Sequence, residues 1–561
     1  MKGKRMSFNN WSRIVCLLPF AIATSAAPSA QRHNLVVLVP TALPAAAVNE
    51  VTAPALSKLR SEGVYFSNSH SGFPRLVTSG PDATGAHTDM LSVLAAATGS
   101  YSTALVDSTS PDEEPTLLAT ALSDSGSSLD MIVDVTLPGF KAASRPFVLV
   151  YRFGPKSEAS EQLPHRHTDR SEESALVNAA ITANEALAAI EEKLRQLGLH
   201  ETTNIIVAAE QGLSLVWKGG KQNGWINLAA EQARWGSLPP GFLAMDLAIA
   251  LSEKHRELKL FDPDNDFVSM KHAGVRHPRF GNGVIAVTPD KPLIFIEARG
   301  DHDLIYLSKN FTSNAAKRLA KDIVKAVFQF SYTSGVFVNE IRLGRPRGTL
   351  PLKHIGWSSS PEALFPDIVV TFASVGLQCG EPALCTHAIA DTMLKEGQVL
   401  QGSFSRADTW NFMAARGPDF RSRLNSAVPA SNADVVRTMR ELLHLSSPGA
   451  DSSSARVLVE SLRSYEGKAP QARKRELVSR ETRDGLTTEI HLQLVGETRY
   501  FHAAGGPGWT VGIPLRPASL EWRPWKWDLS VLRRVRVNVS PKDPPPLERA
   551  PPVFPAAPAR P

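Results

Sequence analysis

Cysteine is scarce, with three in 561 residues, too few for a disulfide scaffold or a Cys-built zinc ribbon. No stretch is both long and apolar enough for a bilayer crossing, which needs ~20 residues. A phosphate-cradling P-loop and a Gly-x-Ser-x-Gly elbow are both missing, which excludes the two commonest nucleotide and acyl-transfer signatures. Excess charge is also missing from the body. The net charge is +6, but Lys2, Lys4, Arg5 and Arg13 put +4 in the first 26 residues, and the segment from Pro514 carries +5. The remainder is near −3, so a basic catalytic body and a nucleic-acid-binding module are excluded. At 43% hydrophobic residues, the chain has ample material for a core and is not a disordered polymer.

The basic start leads into the apolar run Ile14-Val-Cys-Leu-Leu-Pro-Phe-Ala-Ile22 and then small residues through Ala30. That is the order of a secretory leader, cleaved near Ala26 or Ala27. The expected location is therefore periplasmic or secreted, with no transmembrane span in the mature chain. In an exported protein, Cys379 and Cys385 around a short loop point to a disulfide.

Asn34-Leu-Val-Val-Leu-Val-Pro40, Phe147-Val-Leu-Val-Tyr151, Asn204-Ile-Ile-Val-Ala-Ala209, Pro292-Leu-Ile-Phe-Ile-Glu297 and Asp367-Ile-Val-Val-Thr-Phe372 are short, almost wholly apolar runs. They read as strands buried on both faces. Ala53 to Glu62 and Ser171 to Leu197 have helical apolar spacing, stopped by Gly63 and Gly198. Strands separated by long helices predict an α/β fold with one large, mostly parallel sheet sandwiched by helices. Ligands then bind beyond the carboxyl ends of the strands. The expected organisation is a leader over 1–26, one main domain over 33–513 and a tail over 514–561. The tail is basic, carries Trp522, Trp525 and Trp527, and ends Pro-rich. It reads either as a docking segment for an acidic envelope polymer, anionic lipid or protein partner, or as a Trp-anchored strap with an extended end.

A family resemblance enters at the first strand. His33-Asn-Leu-Val-Val-Leu-Val-Pro40, Ala53-Pro-Ala-Leu-Ser-Lys-Leu59, Gly63-Val-Tyr-Phe-Ser-Asn-Ser-His70, Gly402-Ser-Phe-Ser-Arg-Ala-Asp408 and Asn411-Phe-Met-Ala-Ala415 stand in collinear order. Together they resemble the bacterial nucleotide pyrophosphatase/phosphodiesterase branch of the alkaline phosphatase superfamily. The resemblance spans about residues 33 to 513 and implies that superfamily's core. Such enzymes cleave phosphodiester or pyrophosphate bonds with two zinc ions and a Thr or Ser nucleophile. The cations neutralise phosphoryl oxygens and activate the attacking and leaving oxygens.

The resemblance also says where this equipment belongs. The nucleophile position is Val77, which has no oxygen, and the following Asn position is Gly80. The metal-ligand positions are Thr41, Gly154, Ser160, Glu210, Gln211 and Gln401, where the family has Asp or His. Only Glu210 keeps a carboxylate. The implied reading is a pseudoenzyme, with no cofactor, acting as an exported binding or scaffold protein.

Two alternatives stay open: a hydrolase with a rebuilt site and a structural envelope component. Thr78 and Ser79 adjoin the nucleophile position. His165, His167 and Asp169, with Glu210, offer donors for a substitute metal site, or form a solvated loop. Asp301-His-Asp303 reads as a surface turn or a ligand cluster. Asp262-Pro-Asp-Asn-Asp266 has Phe267 in place of the glycine a calcium loop needs.

Overall fold

The computed structural model describes residues 32–72, 85–108, 128–154, 170–218, 238–268, 277–357, 365–376, 385–445 and 455–515. Residues Met1–Pro514 form one compact unit and Leu515–Pro561 a second. Within the second, only Leu515 is among the described residues.

The described residues form five sheets of seven, eight, four, three and two strands. The seven-stranded sheet holds the first three apolar runs. Ser102–Asp107, Phe147–Phe153, Asn34–Pro40 and Thr203–Ala208 lie side by side, all parallel. Met413–Arg416 joins antiparallel beyond Thr203–Ala208, followed by Val64–Phe66 and Leu424–Ser426.

Alternation of side chains sorts Asn34–Pro40 between two cores. Val36 and Leu38 pack with Leu56 and Leu59 of the helix Pro54–Glu62 and with Leu187, Ile190 and Leu194 of the helix Arg170–Gln196. Leu35, Val37 and Val39 pack with Val93 and Leu94 of Gly85–Ala97 and with Val435 and Met439 of Asn432–Leu442. Gly63 ends its helix where the chain passes under Met413–Arg416. A Cβ there would lie 2.2 Å from the Ala415 carbonyl oxygen, so no other residue fits.

The expected single, mostly parallel sheet is wrong. Pro292–Ala298 and Ile368–Phe372 belong to a separate eight-stranded sheet. There Pro292–Ala298 pairs antiparallel with Gly283–Ala286 and His302–Leu307, and His302–Leu307 pairs antiparallel with Ile368–Phe372. The cause is two-sided burial. One face of this sheet is covered by the helices Phe242–Ser252 and Ser313–Val327. On the other face Leu304, Phe337 and Val369 meet Ile490, Leu492 and Phe501 of a three-stranded antiparallel sheet. Strands buried on both faces read as continuous apolar runs whatever their pairing direction, so the runs do not distinguish parallel from antiparallel pairing. Among the described residues no helix is long and apolar enough to cross a membrane.

Candidate functional site

Four parallel strands bring their carboxyl ends to one rim of the seven-stranded sheet. The Thr41 N–H donates to the Phe153 carbonyl at 2.8 Å, and the Glu210 N–H donates to the Pro40 carbonyl at 2.9 Å. Ala42 bridges to Gln211. Thr41, Gly154, Glu210 and Gln211 are therefore neighbours, and a Cβ on Gly154 would sit 3.6 Å from the Thr41 hydroxyl.

Gln401 arrives from far along the chain. Val399–Leu400 pairs with Ser214–Trp217, which carries the next residue to the rim. The Gln211 amide nitrogen then donates to the Gln401 carbonyl oxygen at 2.9 Å. Five of the six positions named from the resemblance thus come together. Ser160 and Val77 lie outside the described residues, as do Thr78, Ser79, Gly80, His165, His167 and Asp169.

Glu210 is not a free carboxylate. Arg152, one residue from the end of its strand, donates Nε to Oε1 at 2.7 Å and Nη2 to Oε2 at 3.0 Å. Its Nη1 reaches Asp107 Oδ2 at 3.1 Å. The three side chains are 16%, 26% and 21% exposed. Burial opposes the Arg152 charge, but hydrogen bonds and charge from Glu210 and then Asp107 outweigh it and raise its pKa. Arg152 was missed by the sequence reading. Its only signal is a lone cation near the end of an otherwise apolar strand, Phe147-Val-Leu-Val-Tyr-Arg-Phe153.

A buried acid supports the rim from beneath. Asp408 accepts from Ser214 Oγ at 2.8 Å and from the Ser403 hydroxyl, and its carbonyl accepts from the Gly212 N–H at 2.7 Å. Burial is the main cause that pushes its carboxyl up to about 7, against the hydrogen bond from Ser403. These bonds tie the block after Gln401 to the segment after Glu210. The approach is so close that a Cβ on Gly212 would meet the Ala407 carbonyl oxygen at 1.9 Å.

The residues present do not fit a pair of zinc ions. Gly154 has no donor atom, Thr41, Gln211 and Gln401 offer neutral oxygens, and both oxygens of Glu210 are committed to Arg152. Zinc sites take thiolate, imidazole and carboxylate ligands. Among the described residues, no group of three or more His, Cys, Asp or Glu is arranged to hold a metal ion. The described charges at the rim, Arg152, Glu210 and Asp107, sum to one negative charge.

Other candidates fall into place individually. Asp301, His302 and Asp303 are 3%, 8% and 0% exposed, not a surface turn. Asp301 accepts from the Phe404 N–H at 3.0 Å and pairs with His302 Nδ1 at 2.9 Å. Asp262 is also buried, and its Oδ1 accepts from the Asp264 and Asp266 N–H groups, which is an Asx turn. Cys385 precedes the strand Thr386–Ile389, and Cys379 lies outside the described residues. No family model matches the chain, and no curated protein is similar to it.

Proposed function

We propose that this chain is an exported, non-catalytic relative of the nucleotide pyrophosphatase/phosphodiesterases that works by binding. One observation carries the reading. Positions 41, 154, 210, 211 and 401, named from the resemblance as metal ligands, converge at the carboxyl ends of parallel strands without a ligand set. In place of a metal cluster, the guanidinium of Arg152 bonds both oxygens of Glu210 and reaches Asp107.

A fixed cation at that rim holds the strand ends together without an exchangeable ion. Its Nε, Nη1 and Nη2 are each engaged by a carboxylate, which holds the guanidinium to Glu210 and Asp107. A two-metal displacement needs open coordination positions and an activated oxygen, and neither is found among the described residues at this rim. Export through the leader over 1–26, a periplasmic or secreted location, a Cys379–Cys385 disulfide and an envelope or protein partner for the tail belong to the same reading.

The test is hydrolysis of a chromogenic phosphodiester by the purified mature chain with added Zn²⁺. A rate equal to the blank is expected. Zinc-dependent turnover above the blank, lost with chelator, would overturn the reading and direct attention to a rebuilt site.

A further inference from the structure

Among the described residues, the three-stranded sheet ends in a strand with no neighbour on its outer side. Ala472–Val478 pairs antiparallel with Glu489–Val495 from Ala472 opposite Val495 to Val478 opposite Glu489, and Glu489–Val495 pairs in turn with Thr498–Gly505. Every residue of Ala472–Val478 is exposed except Leu477, which is half-buried. Among the described residues, no backbone group bonds to the strand's outer side. Half of its N–H and C=O groups therefore face solvent in register, an open template for another strand.

Its side chains restrict what can pair there. Arg473, Lys474 and Arg475 are consecutive, so cations stand on both faces of the strand. Among the described residues none of the three has an ion-pair partner, and Glu476 supplies the strand's single acid. The positive field is felt nearby. Burial first, then Lys353, with Arg475 and Arg499, holds His354 below its ordinary value against the charge of Glu340. In full antiparallel overlap a second copy of this strand would oppose Arg475 to Arg475 and offer only Glu476 to Lys474, leaving Arg473 and Arg475 without the acid that an acidic strand supplies.

We propose that Ala472–Val478 is a docking edge that takes an extended acidic peptide as a fourth strand. The open backbone row supplies main-chain hydrogen bonds, and Arg473, Lys474 and Arg475 select acidic side chains on either face of the incoming strand. A flexible anionic polymer or a lipid headgroup would satisfy the charges but not the backbone row. The edge belongs to a different sheet from the strand-end rim, so the proposal stands whatever the rim binds.

The experiment measures binding of the full mature chain to a fluorescent, acetylated decapeptide of alternating Glu and Thr. A version N-methylated at alternate residues and anionic phosphatidylglycerol vesicles run in parallel. The expected result is saturable binding of the unmethylated peptide, lost on N-methylation. The variant R473E/K474E/R475E should weaken it by about tenfold or more. All three side chains are exposed, so the variant should keep the native circular dichroism and melting temperature; a single R475E covers the case in which the triple variant misfolds. Absence of peptide binding, equal binding of the N-methylated peptide, or vesicle binding that alone responds to charge reversal would each overturn the proposal.

Discussion

Replacing Arg152 by leucine removes the cation that bonds both oxygens of Glu210 and reaches Asp107, and strands the Glu210 carboxylate. The cost can be bracketed from burial. Exposed ion pairs contribute about 0–1 kcal/mol, whereas breaking a buried pair by removing one partner costs about 3–5 kcal/mol. With side chains 16%, 26% and 21% exposed and a bidentate bond to Glu210, this network falls between, at about 2–3 kcal/mol. Denaturant unfolding followed by fluorescence reads that as a lower midpoint with an unchanged slope. Most of the loss is the stranded carboxylate. The double variant Arg152→Leu/Glu210→Gln should therefore recover a large part of it, with a coupling of about 1–3 kcal/mol between the two sites. An Arg152→Leu chain within about 0.5 kcal/mol of native, the range of an inconsequential surface change, would refute the reasoning. So would strictly additive single and double variants.

Three other perturbations have defined outcomes. Asp303 and Asp391 are fully buried acids, both pushed above the ordinary carboxylate value chiefly by burial, Asp391 to about 6. Folding favours their protonated forms, so their contribution is complete below about 4 and is lost as pH rises through 6 and above, by up to about 1.4 kcal/mol per pH unit for each group. Asp303→Asn keeps a donor for Asp391 and should flatten the melting temperature between pH 5 and 8; an unchanged slope contradicts the assignment. Gly212→Ala puts a methyl 1.9 Å from the Ala407 carbonyl oxygen and should destabilise by about 3 kcal/mol or more. Gly99→Ala, with nothing within 4 Å, should be close to native, and equal melting temperatures would contradict the close approach. If Cys379 and Cys385 pair, alkylation of the unfolded, unreduced chain followed by mass mapping leaves both unmodified until a reductant is added.

Local elements were legible where one physical signal sufficed. Asn34–Pro40 matched its apolar run residue for residue, and Pro54–Glu62 ended at the glycine that stops it. Arg170–Gln196 stopped where Gly198, at φ +65°, lets the chain turn. Pairing direction was not legible. Ile368–Phe372 and Asn34–Pro40 are equally apolar, yet one has antiparallel neighbours and the other parallel ones. The positions 41, 154, 210, 211 and 401 were named from the resemblance alone, and the structure brings them to one rim. What now occupies that rim could not be named, because Arg152 lies within a strand that reads as core, and its partner Asp107 comes from a strand the pattern did not mark. The burial of Asp301–Asp303 was hidden for a related reason. Charged residues read as surface until bonds from Phe404 and His302 show otherwise.

The central claim is that the rim has exchanged metal ions for a fixed guanidinium. Elemental analysis of the purified protein after equilibration with Zn²⁺ and removal of free ion tests it most directly. The account predicts zinc well below one equivalent per chain and no change on converting Glu210 to Gln. About two equivalents, retained against dialysis and lost in Glu210→Gln, would contradict it.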